Sequence, residues 1–183
     1  MTATVIAGMP GSIRLFVRAQ LSAGASVEAS PGQAHYLAAV MRRRAGDPIS
    51  VFNGADGEWQ ARIGELRRSR LVLEVERRLR GQEPAPDLWL VFAPVKRDLT
   101  ELIVQKATEL GVSALLPVIT KRSNAHQLNL ERLSAIATEA AEQSERLTVP
   151  LLHTPQRLPA LLDAWSPERR LFAAVERASA PYP

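Results

Sequence analysis

Cysteine is absent from this chain. That excludes disulfides, thiolate catalysis and any zinc site built on cysteine, and it is compatible with a cytosolic protein. Long apolar runs are missing too: none approaches the roughly 20 residues that span a bilayer. The opening MTATVIAGMPGS lacks a basic stretch followed by an apolar core, so no signal peptide is expected. Neither G-x-G-x-x-G nor G-x-x-x-x-G-K-[ST] occurs, which sets aside a doubly wound small-molecule enzyme with a glycine-rich phosphate loop. His35, His126 and His153 lack metal-ligand spacing. Lysine is missing from residues 1–80, where 12 arginines face 7 acidic residues. Residues 81–183 hold 11 basic and 12 acidic residues, so the net charge of +4 belongs to the N-terminal part. An arginine-only basic module suits nucleic acid, because guanidinium binds phosphate bidentately and stacks on bases. The competing reading is a solvated, arginine-rich surface.

What is present is enough for a core: 183 residues with a hydrophobic fraction of 46%. Ile13–Arg18 alternates apolar and polar residues, as a half-buried strand does. Ser30 precedes Pro31 as an N-cap before a first-turn proline, and the spacing predicts a helix through Arg44 with Ala34, Leu37, Ala38 and Met41 inward. Gly46-Asp47-Pro48 breaks it. Strands follow at Ile49–Phe52, Glu58–Leu66 and Leu71–Val75, the first two joined by a turn at Asn53–Gly57. Short strands with one small helix predict a compact β-barrel over residues 13–80. Gly81–Asp87, with two prolines and no large apolar residue, reads as a linker.

Residues 88–183 alternate strand and helix. Leu88–Ala93 is nearly all apolar, as expected of a strand buried on both faces. Asp98 and Glu101 form a capping-box-like pair for a helix with Leu99, Leu102, Ile103 and Leu110 inward, stopped by Gly111. Ala114–Ile119 is a second strand. Asn129 caps a helix through about Arg146, with Leu130, Leu133, Ile136, Ala137, Ala140 and Ala141 inward. Val149–Leu152 and Leu171–Val175 are further strands around a short helix at Leu158–Trp165. This alternation predicts a parallel sheet with right-handed crossovers, and hence a mixed α/β chain. Polar residues gather where a plain core does not need them. Lys96 and Arg97 follow the first strand, Lys121 and Arg122 the second, and Glu142-Gln143-Ser144-Glu145-Arg146 ends the long helix. Glu142 and Arg146 are spaced as an i,i+4 pair.

The run PVKRDLTELIVQKATELGVSALLPVITKRSNAHQLNLERLSAIATEAAEQSERLTVP, from Pro94 to Pro150, resembles the RsmE family of ribosomal RNA methyltransferases. HYLAAVMR at His35–Arg42 resembles the family's His-x-x-x-x-Val-Leu-Arg helix, and Gly46–Ile63 its barrel strands. The resemblance implies a PUA-like RNA-binding barrel followed by a SPOUT α/β methyltransferase domain. It further implies methylation of uridine N3 in small-subunit rRNA with S-adenosylmethionine, in the cytoplasm and away from membranes. The implied partners are small-subunit rRNA or the assembled small subunit, and a second copy in a homodimer with the active site at its interface.

Uridine N3 is protonated at neutral pH, so general-base help and stabilisation of negative charge on the flanking carbonyl oxygens would both accelerate transfer. Arg122, Glu142 and Arg146 are the expected catalytic residues, and Glu142, Gln143 and Arg146 are expected to serve activity rather than folding. Arg18, His35, Arg42, Arg43, Arg44, Lys96 and Arg97 are expected to face RNA, with Lys96 a further candidate at the reacting oxygens. The family's Gly-Pro-Glu-Gly-Gly loop and its Leu-Gly-x-Arg-Ile-Leu-Arg-x-Glu-Thr-Ala segment have no counterpart in these 183 residues. The expectation is therefore an incomplete SPOUT domain lacking the C-terminal trefoil-knot segment. Its cofactor-binding residues are unassigned, and the chain is expected not to bind S-adenosylmethionine. A non-catalytic RNA-binding module stays open beside the enzyme.

Overall fold

The computed structural model describes residues 13–67, 70–121 and 128–174. Two sheets organise them, and the chain is mixed α/β. The first sheet contains β1 (Arg14–Phe16), β2 (Ser26–Ala29), β3 (Pro48–Phe52), β4 (Glu58–Arg67) and β5 (Arg70–Arg80). Its order is β1-β3-β4-β5-β2, with β1–β3 parallel and the other pairs antiparallel. Alternate residues such as Leu15, Val51, Ile63 and Leu73 point into one core, the period-2 consequence of strand geometry. Three register shifts between β4 and β5 bend this long ribbon. Gly57 enters β4 at φ +84, where an added Cβ would lie 2.3 Å from the Arg80 carbonyl oxygen. No other residue fits that crossing.

Helix α1 (Pro31–His35) begins as its sequence predicts: Ser30 accepts from the Gln33 amide, and the Gln33 side chain answers with a bond from the Ser30 amide. It does not continue to Arg44. After His35 it widens into one π-type turn, Tyr36–Val40, closed by Met41 N donating to Tyr36 O at 3.0 Å. Arg42 at φ +52 then turns the chain away. The wide turn rotates the inward face, so Ala34 and Leu37 are buried while Ala38 and Met41 are exposed. Strand β2 was not anticipated: Val27 is its one fully buried side chain, too short a pattern to register.

The second sheet is parallel, in the order β6 (Trp89–Phe92), β7 (Ala114–Ile119), β8 (Leu151–Leu152), with β9 (Gln156–Arg157) also paired to β7. Helices α2 (Arg97–Glu109), α3 (Leu130–Gln143) and α4 (Leu158–Asp163) connect and cover it. Three expectations need correction. Strand β6 is an edge, not a doubly buried strand: Trp89 is 38% exposed and Leu90 and Val91 are half-buried. Helix α2 buries Thr100, Val104, Ala107 and Thr108, leaving Leu99, Leu102 and Leu110 exposed. Its small side packs because both threonines satisfy themselves: Thr100 bonds Val95 across the first turn, and Thr108 donates to Val104 O. Lys96, not Asp98, occupies the cap position, and Asp98 sits in the first turn near the positive end of the dipole.

Third, Leu171–Ala174 form no strand, and Phe172 is 87% exposed; Val175 lies outside the described residues. Chain leaving α4 is anchored by side chains instead. The Arg169 guanidinium lies 3.7 Å above the Trp89 ring and pairs with Asp87, while its carbonyl accepts from Trp165 Nε1. Helix α3 follows expectation more closely. Asn129 caps it, Leu133, Ala137, Ala140 and Ala141 are buried, and it stops at Gln143 rather than Arg146 because Glu145 turns left-handed at φ +59.

Candidate functional site at the joint between the sheets

The end of α3 does not project freely. Arg14 of β1 reaches it with three bonds: Nη1 donates to the carbonyls of Ala141 (3.1 Å) and Glu142 (2.8 Å), and Nη2 to that of Arg146 (2.9 Å). Its Nε pairs with Glu58 at 2.6 Å, and its guanidinium stacks 4.5 Å from the Phe52 ring centroid. Both partners are nearly buried, the Arg14 side chain 8% and the Glu58 side chain 9% exposed. Arg80 holds the other Glu58 oxygen at 2.6 Å and donates to the Glu145 carbonyl. Two barrel arginines thus cap the carbonyls that a helix end leaves without partners, where cations also meet the negative end of the dipole. Phe52, Ala141 and Leu147 close a small apolar cluster underneath.

Glu142 belongs to the same joint. Its Oε1 accepts from the Phe16 amide of β1 at 2.8 Å. Burial pushes its carboxyl above the ordinary range, with nearby Glu139 adding to the rise; the Phe16 bond and the Arg14 charge only partly offset it. A raised carboxyl favours the neutral form in the folded state. Stability from this group is fully present below the ordinary carboxyl range and is lost as pH rises through the raised value. Glu142→Gln keeps the acceptor and removes the charge. Its thermal midpoint is expected to exceed wild type at pH 7, with the gain fading as pH falls from the raised value into the ordinary carboxyl range. A midpoint below wild type at pH 7 would show that the charge contributes to folding. An ionisable group kept where it costs stability marks a candidate for proton chemistry.

Arg146 is built into the fold. Nη1 donates to Thr108 O at 2.5 Å, in the last turn of α2, and Nη2 to Thr148 Oγ1 at 3.2 Å. No Glu142–Arg146 ion pair forms among the described residues, because the left-handed turn at Glu145 ends the helical spacing between them. Arg122, the third expected catalytic residue, lies outside the described residues, next to exposed Lys121 at the end of β7.

The residues expected at RNA divide into groups. Arg18 lines a cleft of about 1130 Å³ between the barrel and α3, together with Tyr36, Met41, Glu142 and Gln143. His35, Arg42 and Arg44 are exposed, whereas Arg43 is half-buried, with Nε shielded and lacking a protein partner. Lys96 and Arg97 are exposed at the head of α2. Arg97 is engaged with Glu101, whose carboxyl is held down to about 2, first by Arg132 and then by Arg97. Sequence reasoning missed Arg14, Glu58 and Arg80. The available signal was Glu58, a carboxylate opening an otherwise inward-patterned strand, opposite Arg80 in register.

Among the described residues no group of three His, Asp or Glu side chains could hold a metal ion. Open α/β sheets place ligands at the carboxyl ends of their strands. The cleft is walled by barrel residues and α3, and a second groove of about 470 Å³ by α2 and α3; neither is bounded by those strand ends.

An arginine-rich five-stranded sheet unit is bound through Arg14 and Arg80 to a parallel α/β unit, a two-part architecture. The model of an RNA methyltransferase PUA domain matches residues 30–76, and that of an RNA methyltransferase domain matches residues 82–182. The chain belongs to this RNA methyltransferase family. It is similar to ribosomal RNA small subunit methyltransferase E of Rickettsia conorii, 34% identical over 140 residues that make up 76% of this chain and 57% of the relative. The Synechocystis protein of the same name is 33% identical over 92% of this chain and 56% of its own length. The chain thus spans somewhat over half the length of these relatives. Among solved structures, the Neisseria gonorrhoeae methyltransferase E bound to S-adenosyl methionine superposes with a TM-score of 0.75 at 27% identity, covering 86% of this chain and 67% of that one. No helix among the described residues is long and apolar enough to cross a membrane.

Proposed function

We propose that this chain carries the RNA-docking barrel and the first part of the methyl-transfer domain of an enzyme that methylates N3 of a uridine in small-subunit rRNA. The observation that supports it is the pairing of an RNA methyltransferase PUA domain with an RNA methyltransferase domain, joined through the bonds of Arg14 to the carbonyls that end α3. The barrel docks RNA through phosphates, and the target base is unstacked to expose N3. Glu142 is the group suited to take up the N3 proton, since burial brings its carboxyl closer to neutrality. Arg122 and Lys96 supply positive charge for the flanking oxygens. Arg146 acts indirectly, tying the connection after α3 to the last turn of α2. The working partners are rRNA of the cytoplasmic small subunit and a second copy of the chain; Leu99 and Leu102 give the α/β unit apolar surface that assembly would cover.

One observation favours a second reading, an RNA-binding module without catalysis: the excess of basic over acidic residues lies wholly in residues 1–80. Calorimetry of the 183-residue chain against S-adenosylmethionine is expected to show no measurable binding. Micromolar affinity would place a cofactor pocket within these residues. Sequencing the coding region beyond Pro183 separates the two readings. An in-frame Gly-Pro-Glu-Gly-Gly loop supports the enzyme, and an immediate stop codon supports the module.

A further inference from the structure

The cleft between the barrel and α3 has two unlike walls. On the barrel side stand Tyr36, 40% exposed, and Met41, 37% exposed, at either end of the widened helical turn. Arg18 lies on the same wall, and Arg42 and Arg44, both exposed, follow directly on Met41. Glu28 also lies on this side, but it faces Arg70 at 3.7 Å. The α3 side instead presents the carboxylates of Glu139 and Glu145. A polyanion cannot lie against both walls. A single strand can be accommodated with its phosphates along the arginines and its bases turned inward. There an aromatic ring offers a stacking face, and carboxylates accept base N–H groups. A duplex fits poorly, because its bases are already paired and its second backbone would run against the acidic wall. The cleft, about 1130 Å³, exceeds the usual range of small-ligand sites.

We propose that this cleft seats single-stranded RNA, with a base stacked on Tyr36 and the backbone held on Arg18 and the arginines after Met41. The inference rests on the RNA-binding reading of the barrel and adds to it the strandedness of the RNA and the residue that reads it. The probe is a fluorescein-labelled uridine-rich RNA decamer, compared with its duplex, titrated with the 183-residue chain over a range of salt. Tyr36→Leu is expected to weaken single-strand binding about tenfold without changing its salt slope, since stacking carries no charge. Tyr36→Phe, which keeps the ring, should restore the affinity. Arg18→Ala should reduce the slope by about 0.7, the value for one single-strand phosphate contact. Tyr36→Leu should leave duplex binding unchanged, and its thermal midpoint reports whether the barrel remains folded. Wild-type single-strand affinity in a folded Tyr36→Leu variant, or equal losses on both probes, overturns the proposal while leaving the RNA-binding reading standing. Failure of the wild-type chain to bind either probe overturns both.

Discussion

Arg14→Ala is expected to cost about 3–5 kcal/mol, the range for removing one partner of a buried ion pair. Most domains have only about 5–15 kcal/mol in total, so the effect should be visible as a collapse of the urea midpoint. Three losses act together. Glu58, its side chain 9% exposed, keeps Arg80 but loses its more deeply buried partner. The carbonyls of Ala141, Glu142 and Arg146 lose their donor at a helix end that water reaches poorly. The stacking of guanidinium on Phe52 also disappears. The tryptophans supply position-specific probes: Trp59 reports the barrel, and Trp89 and Trp165 the α/β unit. In wild type the two signals should change together, because Arg14 couples the units. In Arg14→Ala they should separate into two transitions. Coincident signals at the wild-type midpoint would mean that the joint is held without Arg14, by the Glu142–Phe16 and Arg80–Glu145 bonds and the apolar cluster of Phe52, Ala141 and Leu147. Arg14→Lys should fall between, since an ammonium pairs with Glu58 but cannot fork to three carbonyls.

That joint is where sequence reasoning was weakest, and the reason is physical. Elements governed by local chemistry were legible. Ser30 and Asn129 cap the helices they precede, Gly111 at φ +100 ends α2, alternation marks β1 and β4, and short apolar runs mark β3 and β7. Contacts between distant segments leave no local trace. Arg14 and Ala141 are 127 positions apart, and an arginine in an alternating strand reads as solvent-facing whether or not a helix end meets it. Helix α2 failed differently. Its large apolar residues define a face that is real but exposed, while threonines whose hydroxyls bond within the helix make the opposite face inexpensive to bury. Site residues were legible in kind rather than in role. Glu142 stands at a cleft with a raised carboxyl, and it also fastens β1 to α3. Position and chemistry are one arrangement there: moving the barrel moves the carboxylate.

Changing Arg42, Arg43 and Arg44 together to alanine is expected to weaken RNA binding roughly 25-fold at 0.1 M salt, with the loss vanishing near 1 M. The figure follows from two phosphate contacts at about 0.7 logarithmic units each for a single strand. Two are counted rather than three because Arg43 is half-buried with its Nε shielded, whereas Arg42 and Arg44 are exposed. The left-handed backbone at Arg42 ends the helix and carries the arginines off its face. In a regular helix, successive side chains would point about 100° apart, and neighbours could not track one strand. The double variant Arg42→Ala/Arg44→Ala should accordingly match the triple variant within a factor of two, in both affinity and salt slope. All of these side chains lie outside the barrel core, so the unfolding free energy should change by less than about 0.5 kcal/mol. The rest of the chain carries one more acidic than basic residue over positions 81–183, so no comparable electrostatic attraction is available there to mask the loss. An unchanged slope of log affinity against log salt in the triple variant would move the phosphate-binding surface away from this helix, leaving Lys96, Arg97 and Lys121 at the ends of β6 and β7 as the next cations to test.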